Sequence, residues 1–276
     1  MALCGLATSC SEAVDRLVDR LPDGGSEEVQ AAIDGLQQGS LETALLLALT
    51  GTMEIEGSEA ELAASAAAAV RDILTPSDCV LGAEVVSDTV NYALENCNGP
   101  YGLRNVTGGV NLAFVMPAGP LGTSVALTSA SLDLNGAPIA INVSGGMDDN
   151  DGVREYELIT AGGGVSRDGE ALTRSGSFTA RIEEDCMVMQ GGWLSTINTD
   201  LYPTVFTGFT RCDGPCPSSG TMVLGEAQPD VDGTGDPSNE IGIEGEALTM
   251  TFVGSRTIAW ADSTGRTGAT TMVCEF

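Results

Sequence analysis

At Asn98-Gly99-Pro100 the chain changes its hydrophobic period, and this switch limits the possible folds more than any other feature. Downstream, apolar residues alternate with polar ones. The clearest runs are Val110, Leu112, Phe114 and Met116; Leu132 and Leu134; Ile139, Ile141 and Val143; Phe178, Ala180 and Ile182; Leu248, Met250 and Phe252; and Ile258 with Trp260. A period of two with Thr, Ser, Asp and Arg between the apolar positions predicts antiparallel strands with one dry and one wet face. Turns rich in Gly, Asp and Asn separate them. Roughly ten strands fit, near the size at which an open sheet curls, closes or splits, so an incomplete barrel and a sandwich both stand open. No fixed-period repeat is evident, which counts against a propeller or solenoid.

Upstream of the switch the period is helical. Val14, Leu17, Val18 and Leu21 share one face before Pro22-Asp23-Gly24-Gly25 ends the pattern. Further helices are expected over Ser26 to Leu36, Leu41 to Leu49, Glu59 to Leu74 and Ala83 to Asn96. Ser58 with Glu61 forms a capping box for the third of these, and Pro76 follows its end. The near-continuous alanine of 63–69 favours helix but supplies little side-chain volume, so that helix must pack closely. The expected class is α+β, with residues 1–10 a leader-like remnant, 11–98 a helical segment and 99–276 a large antiparallel β domain.

Charge removes several classes of function. The chain has no His, and all 11 of its basic residues are Arg, against 39 Asp and Glu. Without His there is no Ser-His-Asp or Cys-His catalysis and no imidazole metal ligand. Without Lys there is no Schiff base and no P-loop lysine. Carboxylate chemistry and oxygen-ligated metals survive. A formal net charge of -28 disfavours phosphate backbones and anionic lipid surfaces, so no nucleic-acid partner is expected.

Residues 1–10 read MALCGLATSC, a short run of small and apolar residues before the polar Ser11-Glu12. Ala7-Thr8-Ser9-Cys10 resembles the lipobox of bacterial lipoproteins, although Ala7 stands where Leu is usual and Leu6 lies one place further back. The resemblance implies lipidation at Cys10, contact with a membrane only through that anchor, and an address in the cell envelope (outer membrane or periplasm) or outside the cell. Cys79, Cys97, Cys186, Cys212, Cys216 and Cys274 then form an even set suited to three disulfides in an oxidising compartment. Of the 15 possible pairings, the preferred partition joins Cys79 to Cys97 across a short helical segment and keeps the other four together in the β domain.

One acidic loop is a candidate metal site. Asp230, Asp232, Thr234, Asp236, Asn239 and Glu240 could turn oxygen ligands inward around Ca²⁺, with Gly233 and Gly235 permitting the tight turns. The segment resembles the D-x-D-G-x-G-D calcium loops of secreted proteins and departs from an EF-hand in register and flanking elements. The competing reading is a solvated hairpin loop. Asp148-Asp149-Asn150-Asp151-Gly152 reads as a turn, as does Asp262-Ser263-Thr264-Gly265 after the Trp260 strand. Glu183 or Glu184 with Glu226 would be the sort of pair a glycosidase uses, a choice of little specificity among so many acids. Trp193 and Trp260 are expected to anchor the core.

Three functions follow as expectations. The first is an exported, lipid-anchored envelope protein with a structural or binding role, possible partners being a protein or a small apolar ligand, and with Ca²⁺ as its one expected cofactor. The second is a carrier enclosing an apolar ligand in a curved β domain. The third is a carboxylate-dependent hydrolase.

Overall fold

The computed structural model describes residues 27–53, 55–115, 123–150, 153–166, 168–197, 200–227, 243–272 and 274. Two helices, α1 (Glu27–Thr50) and α2 (Glu59–Ile73), precede the strands β1 (Val80–Val86), β2 (Thr89–Cys97), β3 (Val106–Val115), β4 (Thr123–Leu134), β5 (Ala137–Asn150), β6 (Val153–Thr160) and β7 (Gly163–Val165). The chain continues through β8 (Ala171–Glu183), β9 (Cys186–Ile197), β10 (Asp200–Arg211), β11 (Ser219–Ala227), β12 (Ile243–Phe252), β13 (Thr257–Asp262) and β14 (Thr267–Thr271). The α+β class is as expected, with fourteen strands among the described residues rather than roughly ten.

All the strands belong to one sheet, ordered as in the chain, with every ladder antiparallel. The short β7 lies off this path and pairs with β5 and β8. One continuous sheet excludes a sandwich of two separate ones, and among the described residues β1 and β14 are its edges. Most of the register shifts cross it in two places, with single shifts also between Val80 and Gly82 and between Leu224 and Glu226. One group lies between Leu94 and Cys97, Gly108 and Asn111, and Ser129 and Leu132; the other lies between Phe206 and Phe209 and between Thr207 and Thr210. Each is a β-bulge, which bends a strand and sharpens its twist. The sheet thus curls back until the β2–β3 loop meets the β10–β11 loop, where Arg104 Nη2 donates to the Asp213 carbonyl at 3.0 Å.

The curl encloses α1. Every residue from Val29 to Thr50 is buried, the polar Asp34, Gln37, Gln38, Ser40, Glu42, Thr43 and Thr50 included. This helix corrects the expectation of two shorter ones over Ser26 to Leu36 and Leu41 to Leu49. Gln37-Gln38-Gly39-Ser40 resembles a break because such residues usually face bulk solvent, but inside the sheet they are buried. The hydroxyls turn back on the helix instead: Ser40 Oγ donates to the Gln37 carbonyl, Thr43 Oγ1 to Gly39 and Thr50 Oγ1 to Leu46, at 2.7–2.8 Å. Gly35 and Gly39 form the face nearest β9, where a Cβ would lie 2.6 Å from Ser195 Oγ and 2.6 Å from a Trp193 ring carbon respectively.

α2 begins at the expected capping box, with Ser58 N–H donating to Glu61 Oε2 at 2.8 Å and Glu61 N–H to Ser58 Oγ at 3.4 Å. Its small buried residues, Ala63 and Ala66 among them, pack against β1, β2 and β3.

The helix expected over Ala83 to Asn96 is instead the hairpin of β1 and β2, so the helical segment of 11–98 ends, among the described residues, at Ile73. Val86, Val90 and Leu94 are spaced four apart, which suits a helix face and one face of a strand equally. Covalent geometry separates the two. The Cys79–Cys97 disulfide holds Cα atoms 5.2 Å apart, whereas a straight helix between them would span about 27 Å. A hairpin turning at Ser87 (φ 59) meets the constraint.

On the strands the alternation holds as read, except that Ile182 and Trp260 are only half-buried against the core. Val110, Leu112, Phe114, Leu132, Leu134, Ile139, Ile141, Val143, Phe178, Ala180, Leu248, Met250, Phe252 and Ile258 are buried in one core with α1, while Met116 lies outside the described residues. The outward face of β8, with Thr173, Ser175, Thr179 and Arg181, is polar. It differs from the apolar outer band of a transmembrane barrel. No helix among the described residues is long and apolar enough to cross a membrane.

Candidate functional site

Three features have the chemistry to be functional: the cysteines, the polar groups enclosed with α1, and a cleft at the C-terminal end of that helix. All six cysteines after residue 27 are paired, as Cys79–Cys97, Cys186–Cys212 and Cys216–Cys274. The preferred partition is the one found, except that a β-hairpin replaces the helical segment between Cys79 and Cys97. None of these sulfurs is available as a thiolate ligand or nucleophile while oxidised.

Inside the sheet, Glu42 on α1 forms an ion pair with Arg174 on β8 at 2.9 Å, with both side chains at most 1% exposed. The second carboxylate oxygen accepts the Asn142 backbone N–H at 3.0 Å, and Thr160 Oγ1 donates to Oε2 at 3.2 Å. Gln38, one turn earlier on α1, accepts from Arg174 Nη1 at 3.1 Å and donates to the Val165 carbonyl at 2.6 Å. This i, i+4 pair fixes α1 against β5 to β8. Both carboxylate oxygens are engaged and sealed from solvent, so the group serves as a structural anchor and not as a base.

Arg211 on β10 is also buried, and among the described residues its hydrogen bonds go to uncharged acceptors. Nε donates to the Tyr101 carbonyl at 3.1 Å, Nη1 to Ser40 Oγ at 3.2 Å and Nη2 to the Pro215 carbonyl at 3.5 Å. Burial lowers its pKa to about 10. The guanidinium thereby clamps α1 and the two loops that close the curl. Burial likewise pushes the Tyr101 phenol up to about 12, with nearby Tyr156, Asp213 and Asp185 adding to the shift.

The cleft has a volume of about 920 Å³ and is lined by Gly51, Asp149, Arg154, Ile182, Glu183 and Glu184, with other residues of β6, β9 and β10. Arg154 caps α1 from outside it, its Nη1 donating to the Thr50 carbonyl at 2.7 Å and Nη2 to Met53 at 2.8 Å. A cation at this position satisfies the carbonyls and dipole of the helix end. Asp149 takes both Nε and Nη2 of the same guanidinium. Glu183 is bound by Arg181 Nε. Glu226 is on β11, in register with Glu244, whereas Glu183 and Glu184 are at the β8–β9 turn.

Asp262 closes β13 as the expected polar turn. It accepts from Thr264 N–H, Thr264 Oγ1, Arg266 N–H and Arg266 Nε at 2.6–3.0 Å. Burial opposes its ionisation, but these bonds and the Arg266 charge outweigh that and hold its pKa at about 2. Glu61 is shifted downward too, by its Ser58 hydrogen bonds. Both shifts favour the ionised form, the reverse of what a general acid needs. Trp193 anchors the core as expected, its ring centroid 4.5 Å from Phe206 and 5.7 Å from Phe178.

Cys10 and the six residues of the calcium candidate, Asp230, Asp232, Thr234, Asp236, Asn239 and Glu240, lie outside the described residues. Of the second acidic loop, Asp148 and Asp149 are on β5, and residues 151 and 152 are outside the described residues. Among the described residues no group of three or more acidic or cysteine side chains is placed to hold a metal ion. Sequence reasoning missed the Glu42–Arg174 anchor and the Arg211 clamp. The available signal was the set of polar residues Asp34, Gln37, Gln38, Ser40, Glu42 and Thr43, with Gly35 and Gly39, interrupting an otherwise apolar helix. No protein-family model, curated protein or solved structure matches the chain.

Proposed function

We propose that this chain is an exported protein of the cell envelope or extracellular space, with a structural or binding role carried by its surface and not by catalysis. The observation that carries this reading is the pairing of six cysteines into three disulfides, which persist in oxidising compartments and are rare in the cytosol. The enclosed ionic groups support it, because Glu42, Arg174 and Arg211 are committed to holding α1. A carrier would need interior volume for its ligand, and α1 fills the space inside the curl. A carboxylate hydrolase needs two opposed carboxylates, while Asp149 and Glu183 in the cleft are each bound by an arginine. Lipidation at Cys10 and Ca²⁺ at the Asp230–Glu240 loop belong to the same proposal.

The test is intact mass of the protein from its native host, before and after reduction, with thermal unfolding in calcium and in chelator on the same sample. The expected result is a lipidated Cys10 at the N-terminus and a gain of two hydrogens for each of three disulfides on reduction, with a higher Tm in calcium. A retained Met1 with eight free thiols overturns export. Unchanged unfolding in calcium removes the metal from the proposal.

A further inference from the structure

We infer that β1 is a dimerisation edge, where two copies of this chain join by antiparallel pairing of their β1 strands centred on Ala83. A sheet that does not close leaves rows of unpaired N–H and C=O groups at its ends, and such edges template pairing with another chain. Among the described residues β1 has β2 on one side only. At the opposite edge, the Thr271 carbonyl of β14 already accepts from Gln30 Nε2 of α1, at 3.5 Å. β1 is the freer edge.

Its side chains match that role. Leu81, Val85 and Val86 are 62%, 40% and 53% exposed, and they make up three of the seven large apolar residues exposed among the described residues. Protected edges usually carry Lys or Pro. The chain has no Lys to place there; β1 also lacks Pro, and its one charge is Glu84. A register shift between Val80 and Gly82 confines regular pairing with β2 to Gly82–Val86.

The strand is also close to self-complementary. About Ala83, Val80 mirrors Val86 and Leu81 is mirrored by the similar Val85, while Gly82 is mirrored by Glu84. Antiparallel pairing at that centre sets Leu81 opposite Val85 of the second copy and Glu84 opposite its Gly82. A centre at Glu84 would oppose two carboxylates, which is unfavourable. The two-fold relation makes the interface isologous and closed, so it ends at a dimer. The paired segment is short and each chain carries a net charge of -28, so the dimer is weak and strengthened by salt.

Sedimentation equilibrium over roughly 1 to 200 μM, at low and moderate salt, tests this in the range suited to a weak interface. The mass should climb from 28.2 kDa toward twice that value, more steeply at moderate salt. Combining Leu81→Lys with Val85→Lys should weaken association at least about tenfold, with near-UV circular dichroism unchanged. Ala83→Cys provides a second route that does not depend on that variant. Opposed Cα atoms in an antiparallel pair are about 4.5–5.5 Å apart, within reach of a disulfide. Ala83→Cys should therefore cross-link two chains on oxidation. Val86→Cys should not, since the two copies of that position would be about 20 Å apart. A mass fixed at 28.2 kDa throughout overturns the proposal, as does a dimer that survives the lysines and leaves Ala83→Cys uncross-linked.

Discussion

Gly39 lacks a side chain for a reason outside its own helix. Alanine is the better helix former by about 1 kcal/mol, so Gly39→Ala would stabilise an exposed helix. Here the new Cβ would sit 2.6 Å from a Trp193 ring carbon, and that ring is held between Phe178 and Phe206. Overpacking of this kind costs about 1–3 kcal/mol. We expect a net loss of up to about 2 kcal/mol in urea unfolding; a gain would mean that α1 can move away from β9. The Glu42–Arg174 pair follows different arithmetic, because desolvation has already consumed most of its Coulombic attraction. Arg174→Met strands a buried carboxylate and should cost about 3–5 kcal/mol, while Glu42→Leu combined with Arg174→Met should cost far less. Equal losses for the single and double variants would show that the pair contributes net stability.

At the scale of elements, disulfides of different span tie down different parts of the sheet. Cys216–Cys274 closes a separation of 58 residues, Cys186–Cys212 one of 26 and Cys79–Cys97 one of 18. Chain entropy assigns these about 4.2, 3.5 and 3.2 kcal/mol in that order. Replacing each pair by alanine should therefore lower the urea midpoint most for Cys216–Cys274 and least for Cys79–Cys97. The reverse ranking would indicate that the β1–β2 hairpin depends on its staple more than the C-terminal strands do. That hairpin is where local pattern and covalent constraint conflicted, and the constraint prevailed because a disulfide cannot join the ends of a straight helix.

For the whole molecule, charge is the main liability. With 39 acidic residues against 11 arginines, compaction brings like charges together and self-repulsion opposes folding. Some of the arginines are spent inside: Arg174 and Arg211 are buried and neutralise little of the surface. Raising ionic strength from about 10 mM to about 0.5 M shortens the screening length from about 30 Å to a few ångströms. The Tm measured by calorimetry should rise by several degrees over that range. A flat or falling Tm would mean that surface ion pairs such as Arg154–Asp149 outweigh the general repulsion.

The chain's own residue order determined the α+β class, the strands with their inward faces, the Ser58–Glu61 cap and the division of the cysteines, because each depends on short-range periodicity or on counting. Tertiary structure alone decided the single curled sheet, the continuity of α1 and the burial of Glu42, Arg174 and Arg211. A polar residue reads as solvent-facing until something else satisfies it. Apart from the Pro215 carbonyl beside Arg211, the groups that satisfy these three lie about 100 or more residues away along the chain, beyond the reach of any local pattern. The hairpin of β1 and β2 falls between the two, since a spacing of four residues is common to both periods and only the closed loop from Cys79 to Cys97 distinguishes them.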